Sequence, residues 1–191
     1  MVLPLLGAVV LLFAFRLQNE NAAIATGSSF KLVVDAGHGG TDEGAIGKNN
    51  LKEKDITLAL SKKIKELSAD YGIDVVLVRS DDVYMSPAEK VNFANKQNAD
   101  AFISVHVNAA DAHKKDNSSG IEVMVSKDNK QFEQSKLFGS ALLQSLSKDF
   151  KINNNLVEPK TSVWVLKANS LPAVLAEFGY IDNDDDVKKS Y

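Results

Sequence analysis

From Phe30 onward, short apolar runs alternate with segments whose apolar residues recur at helical spacing, and few folds accept that order. Lys31–Asp35 is rich in β-branched residues and runs into Ala36–Gly40, a loop by composition. Glu53 to about Ala69 carries Ile56, Leu60, Ile64 and Leu67 along one helical face. Ile73–Arg79 reads as a second strand. Ser86, Pro87 and Glu89 then supply an N-cap, a first-turn proline and the acid of a capping box, opening a helix to about Asn98. Ala101–His106 is a nearly all-apolar third strand, Gly120–Ser126 alternates as a fourth, and a long helix is expected over about Asp128–Phe150. Ser162–Leu166 and Ala173–Glu177 are the last two strand candidates. The acidic run from Asp182 to Asp186 has neither the spacing nor the closing Glu of an EF-hand, and starts a final helix. The expected fold class is α/β, a largely parallel twisted sheet of about six strands flanked by helices on both faces.

The chain has 191 residues, 45% of them hydrophobic, enough for one core without staples. No cysteine is present, which removes disulfide frameworks, thiolate metal clusters and cysteine nucleophiles together. The formal net charge of −3 shows no basic excess, so no nucleic-acid partner is expected. Residues 1–25 open with an uncharged apolar run closed by Arg16. That run is short for a membrane span and has the length of a signal-peptide core, with small residues at Ala23 and Ala25. Residues 1–25 are read as an export signal or a short membrane anchor, which leaves room for membrane contact, and residues 26–29 as a linker. The domain is expected over residues 30–191, exported to the cell envelope.

Three histidines occur, at positions 38, 106 and 113, so a histidine-built site has few places to lie. His38 follows the first strand, His106 closes the third, Glu177 closes the last, and Glu53 opens the first helix. In a parallel sheet the carboxyl ends of strands and the amino ends of the following helices share one edge. Two imidazoles and two carboxylates distant in sequence are therefore expected together. Two imidazoles and one carboxylate make a three-ligand catalytic zinc set with one coordination position left for water. The remaining carboxylate is suited to act as general base. Glu177 emerges from an uncharged apolar strand, and burial there raises a carboxyl pKa, as a proton-accepting residue needs. Singly, each has a plainer explanation: a turn residue, a core histidine, a helix-dipole acid, an ion-paired acid. His113 lies in a polar loop and reads as solvated. The glycines of Gly37–Gly44 lack the lysine of a phosphate loop and the spacing of a dinucleotide fingerprint. Ser104, His106 and Asp35 suggest a serine triad, but there is no nucleophile elbow, and Ser104 and His106 sit two apart on one flat strand.

Leu32–Gly47, Glu53–Asp55, Ile103–Ala109 and Pro172–Tyr180 together resemble the bacterial zinc-dependent N-acetylmuramoyl-L-alanine amidases, most closely the amidase-3 group. By that resemblance a single Zn2+ is held by His38, Glu53 and His106, and Glu177 is the catalytic glutamate. Asn108 is implied to help hold substrate, and Asp35 is a candidate second-layer partner for a ligating histidine. The implied reaction cleaves the amide between N-acetylmuramic acid and L-alanine in peptidoglycan or its fragments. Another zinc peptidase or deacetylase acting on wall fragments, and a silent wall-binding domain, are the alternatives. Ala36 stands where the family usually has proline. Only about a dozen residues separate His106 from Gly120, too few for the plugging helix that some members carry, so an open site is expected.

Overall fold

The computed structural model describes residues 30–110 and 118–190. Its elements in chain order are β1 (Phe30–Ala36), α1 (Glu53–Ser68), β2 (Ile73–Leu77), α2 (Pro87–Asn95), β3 (Ala101–Asn108), β4 (Glu122–Met124), α3 (Phe132–Leu146), α4 (Trp164–Lys167), β5 (Ala173–Tyr180) and α5 (Asp184–Ser190). Five strands form one sheet in the order β2-β1-β3-β5-β4. β1 pairs in parallel with β2 and β3, and β3 with β5; the short edge strand β4 runs antiparallel to β5. The largely parallel α/β sheet is as the patterning predicts, with one strand fewer.

Both faces of the sheet are covered, which is why β1 and β3 are buried along most of their length rather than at alternate residues. Side-chain parity splits the core in two. Leu32, Val34, Ile103 and Val105 meet Ile56, Leu60 and Ile64 of α1 and Phe138 and Leu142 of α3. Val33, Phe102 and Leu175 meet Val91 and Ala94 of α2 and Val165 and Leu166 of α4. The capping box forms as read, Ser86 and Glu89 exchanging bonds with Pro87 in the first turn. The acidic run opens α5, where the Asn183 side chain accepts the amide hydrogens of Asp185 and Asp186.

Ser162–Leu166, expected as the fifth of six strands, instead leads into the single-turn helix α4. An apolar run of this length carries no period that separates strand from helix. Tertiary bonds decide: the Asn129 amide donates to the carbonyls of Leu166, Asn169 and Leu171, closing the turn. Asn129 also shortens α3 relative to expectation, because its side-chain oxygen takes the Gln131 amide and holds residues 127–131 in turns before Phe132. No helix among the described residues is long and apolar enough to cross a membrane. The N-terminal signal or anchor, the linker and His113 lie outside the described residues.

One buried ion pair joins β1 to α2. Lys90 Nζ stands 2.9 Å from Asp35 Oδ1, and the Ser104 hydroxyl donates to Asp35 Oδ2 at 2.7 Å. Both charges are almost fully removed from water, 5% and 1% exposed. Lys90→Met, which strands the Asp35 charge, is expected to lower unfolding free energy by about 3–5 kcal/mol in denaturant melts. The double variant Asp35→Asn/Lys90→Met should lose markedly less, since no lone charge remains.

Candidate metal centre

The chain leaves β1 at Ala36 and turns sharply, and buried donors fix the turn. Arg79 donates from Nε to Ala36 O at 3.0 Å and from Nη2 to Gly37 O at 2.9 Å. Lys90 Nζ adds a second donor to Ala36 O at 2.9 Å, and the Thr57 hydroxyl donates to Gly37 O at 2.8 Å. Burial lowers the pKa of Arg79, yet five donors in one plane let the guanidinium be met by backbone carbonyls and the Thr57 hydroxyl. Held this way, His38 adopts φ 58°, a left-handed conformation uncommon for a residue with a side chain, followed by Gly39 and Gly40 at positive φ.

The turn aims His38 at Glu53, the first residue of α1, with Nε2 3.1 Å from Glu53 Oε2. His106, near the end of β3, brings Nδ1 to 2.9 Å from Glu53 Oε1. Glu53 is buried and its oxygens also accept the Ala45 and Val107 amide hydrogens at 2.9 and 3.1 Å. Burial alone would raise its pKa, but the two imidazoles and these amides hold the carboxyl well below the usual range. Burial likewise opposes protonation of His38, and the Glu53 and Asp42 carboxylates overcome it, raising its pKa. One ligand atom from each of His38, Glu53 and His106 lies within 4.8 Å of the others. The chain leaves β1 toward β2 on one side and reaches β3 on the other, so these residues meet at the crevice where strand order reverses.

Two nitrogens and one carboxylate oxygen are the donor set of a catalytic zinc, and the surroundings fit such an ion. A Cβ on Gly37 would stand 2.5 Å from the His106 ring, and one on Gly44 would stand 2.6 Å from Glu53 Oε2 and 2.7 Å from the His38 ring. The backbone approaches so closely only because these positions carry no side chain.

Glu177 of β5 is the register partner of His106, so the two side chains share a sheet face. Its Oε2 is buried and has no hydrogen-bond partner. Burial pushes its carboxyl up to about 7, with Glu53 and Glu122 adding to the push and the two imidazoles opposing it. The same group is charge-poised and unoccupied by structural bonds, the condition for moving a proton.

Two other site residues stand differently from expectation. Asp35 touches neither histidine: it pairs with Ser104, two residues short of His106 on the same sheet face, and its carboxylate is taken up by Lys90 and Ser104. The acid beside His38 is Asp42, with Oδ2 2.9 Å from Nδ1, a residue that sequence reading passed over although it lies one helical turn's length along the same loop. Asn108 ends β3, and its side-chain oxygen accepts the following Ala109 amide hydrogen. Ser104 is fully buried and donates to Asp35, which removes it as a nucleophile. Arg79 and Lys90 were also missed, though a lone arginine ending an apolar strand was a visible signal. Gly37→Ala is expected to displace the His106 ring, lowering zinc affinity by about tenfold to a hundredfold in a chelator competition, with the far-ultraviolet spectrum unchanged.

Residues 32–190 match the Amidase_3 family, described as N-acetylmuramoyl-L-alanine amidase. The chain is 36% identical to the uncharacterized protein YqiI of Bacillus subtilis, over 82% of this chain and 72% of that one. It is 38% identical to the endolysin of Bacillus phage SPP1 over 82% of this chain, spanning 57% of that protein. Among solved structures, the N-acetylmuramoyl-L-alanine amidase from Clostridium difficile 630 superposes with a TM-score of 0.75 at 29% identity, covering 85% of this chain and 86% of that one. Family match, sheet and converging donor set agree: the chain belongs to the Amidase_3 family of N-acetylmuramoyl-L-alanine amidases.

Proposed function

We propose that this protein is a zinc hydrolase of the cell envelope that cleaves the amide between the lactyl group of N-acetylmuramic acid and L-alanine of the stem peptide. The observation that carries this reading is the His38–Glu53–His106 donor set lying beside a buried, unpartnered Glu177 on the adjoining strand. Zn2+ bound by those three residues supplies Lewis acidity, polarising the carbonyl and lowering the pKa of water from 15.7 toward about 7.

The chain's own groups do the rest. Glu53, fixed by two backbone amides, would present its carboxylate as the third ligand between the two imidazoles. Glu177 Oε2 accepts a proton from the attacking water and returns it to the departing alanine nitrogen, its raised pKa matching both transfers near neutral pH. Asp42 Oδ2, 2.9 Å from His38 Nδ1, supplies a negative charge beside that ring, and Asn108, at the end of β3, is the residue assigned here to help hold substrate. Export through the N-terminal apolar segment would bring the enzyme to peptidoglycan, and the short connection after β3 supports a site open without an activator.

Hydrolysis of muramoyl-L-alanyl peptide should stop on removal of metal by a chelator and return with added zinc. Glu177→Gln should lower kcat by about 10²–10⁴ while the purified protein retains its zinc. Full activity in that variant would refute the assignment of the base. Release of free amino acids or acetate, with the muramoyl–alanine bond intact, would favour a peptidase or a deacetylase.

The raised pKa of Glu177 also has a signature in stability. In metal-free protein the unfolded carboxyl ionises near its ordinary value of 4.5 and the folded one near 7. No penalty exists below the lower value; it grows between the two and reaches about 3 kcal/mol above the upper. Chelator-treated Glu177→Gln should therefore match wild type in denaturant melts near pH 4 and exceed it by pH 8.

A further inference from the structure

Glu122 is a buried acid that the reaction described above does not use. In the antiparallel pairing of β4 with β5 it stands directly opposite Glu177, and Glu177 stands opposite His106 across β3. His106, Glu177 and Glu122 thus form one row across three strands on the same sheet face. Like charges directly opposite on neighbouring strands destabilise a sheet, more so out of water, and Glu122 is only 8% exposed. Among the described residues no lysine, arginine or histidine pairs with it.

Its orientation is nonetheless fixed. The Asn153 side-chain amide donates to Glu122 Oε1 at 2.6 Å, and Asn154 donates to the same oxygen. Asn153 also donates to the Tyr180 hydroxyl at 3.0 Å, and its backbone amide donates to Ile121 O at 2.9 Å. Both donors converge on one oxygen of the carboxylate, so Oε2 is left for something else. A second observation points to a ligand in the same place, since the adjoining Glu177 Oε2 is buried and has no hydrogen-bond partner among the described residues.

We propose that Glu122 is a substrate-binding residue that accepts the hydrogen of the scissile amide and then holds the ammonium of the amine released from it. The inference rests on the amidase reading, because that reaction is what sets a nitrogen beside Glu177. An amide nitrogen enters with one hydrogen, receives the proton carried by Glu177, and becomes a basic amine that protonates in water at neutral pH. A cation formed there offsets the repulsion between two facing carboxylates, and a neutral acylated amine does not. The pocket therefore accepts the acylated peptide as substrate and holds the released peptide, with its free amino terminus, more tightly.

The test uses the zinc-loaded full chain, titrated calorimetrically with a stem peptide beginning in L-alanine and with its N-acetylated form. Wild type should bind the free-amine peptide about tenfold more tightly, or better, the factor one charge-assisted hydrogen bond supplies. Glu122→Gln should lose that preference while keeping one equivalent of zinc. Asn154→Ala, which leaves the carboxylate but loosens it, should retain part of the preference and serves if the Gln variant fails to fold. The inference is overturned by equal binding of the two peptides to wild type, by a preference unchanged in Glu122→Gln or Asn154→Ala, or by loss of a zinc equivalent on replacing Glu122. Failure of wild type to cleave the muramoyl–alanine amide, measured alongside, defeats the amidase reading itself; cleavage with equal peptide binding defeats only the role of Glu122.

Discussion

Two buried cationic side chains grip the end of β1, and the candidate metal centre depends on that grip. Arg79 and Lys90 reach the carbonyls of Ala36 and Gly37 from β2's end and from α2, two elements that never approach the ion-binding atoms themselves. A backbone carbonyl at the end of a parallel strand has no ladder partner, and burial without a donor costs about 1–3 kcal/mol each. Here the donors satisfy those carbonyls in a geometry that forces the chain into the left-handed region at His38. Asp35 holds the Lys90 side chain in place beneath the turn. Its distance from the histidines does not make it idle, because it acts on His38 through Lys90 and the carbonyl of Ala36.

The centre itself is a balance of uncompensated charges. Among the described residues Glu53, Glu177 and Glu122 converge with two imidazoles to oppose them; Glu53 faces both rings, and burial raises the pKa of Glu177. A divalent cation at His38, Glu53 and His106 removes most of that imbalance. Affinity for the ion and instability of the empty site are thus one property, and the sequence accepts local repulsion in exchange for chemistry.

The sheet and the four central residues are readable from sequence because each sits where a local signal ends. His38 follows a β-branched run, His106 closes another, Glu177 closes a third, and Glu53 begins a helical period. Such boundaries survive tertiary context, and the topology of parallel strands brings them to one edge. Asp35 shows where that reasoning stops. Adjacency along the chain made it a neighbour of His38, but pleating projects its side chain perpendicular to the sheet while the histidine leaves at the rim. Trp164–Lys167 shows a second limit, since four residues carry no period and long-range bonds from Asn129 determine their conformation. Glu122 was hidden for a third reason. Its alternation within β4 is legible, but the antiparallel register that sets it opposite Glu177 is not.

That register also ties reactivity to packing. Ala173, Leu175 and Glu177 lie on one face of β5 because their parity is the same, and the first two are buried against α2 and α4. A slip of one residue would send Leu175 to the wrong layer and Glu177 with it. The core therefore enforces the facing of every residue of β5 up to Glu177. Past that point the constraint is released: the β3–β5 pairing shifts between His106 and Asn108, and Gly179 takes φ 99° where a Cβ would press on Asp186 at 2.9 Å. The irregularity falls just beyond the last residue whose facing matters. Asp186 Oδ2 then accepts the Gly120 and Tyr180 amide hydrogens, which ties the approach to β4 to the end of β5 and so holds Glu122 in line with Glu177.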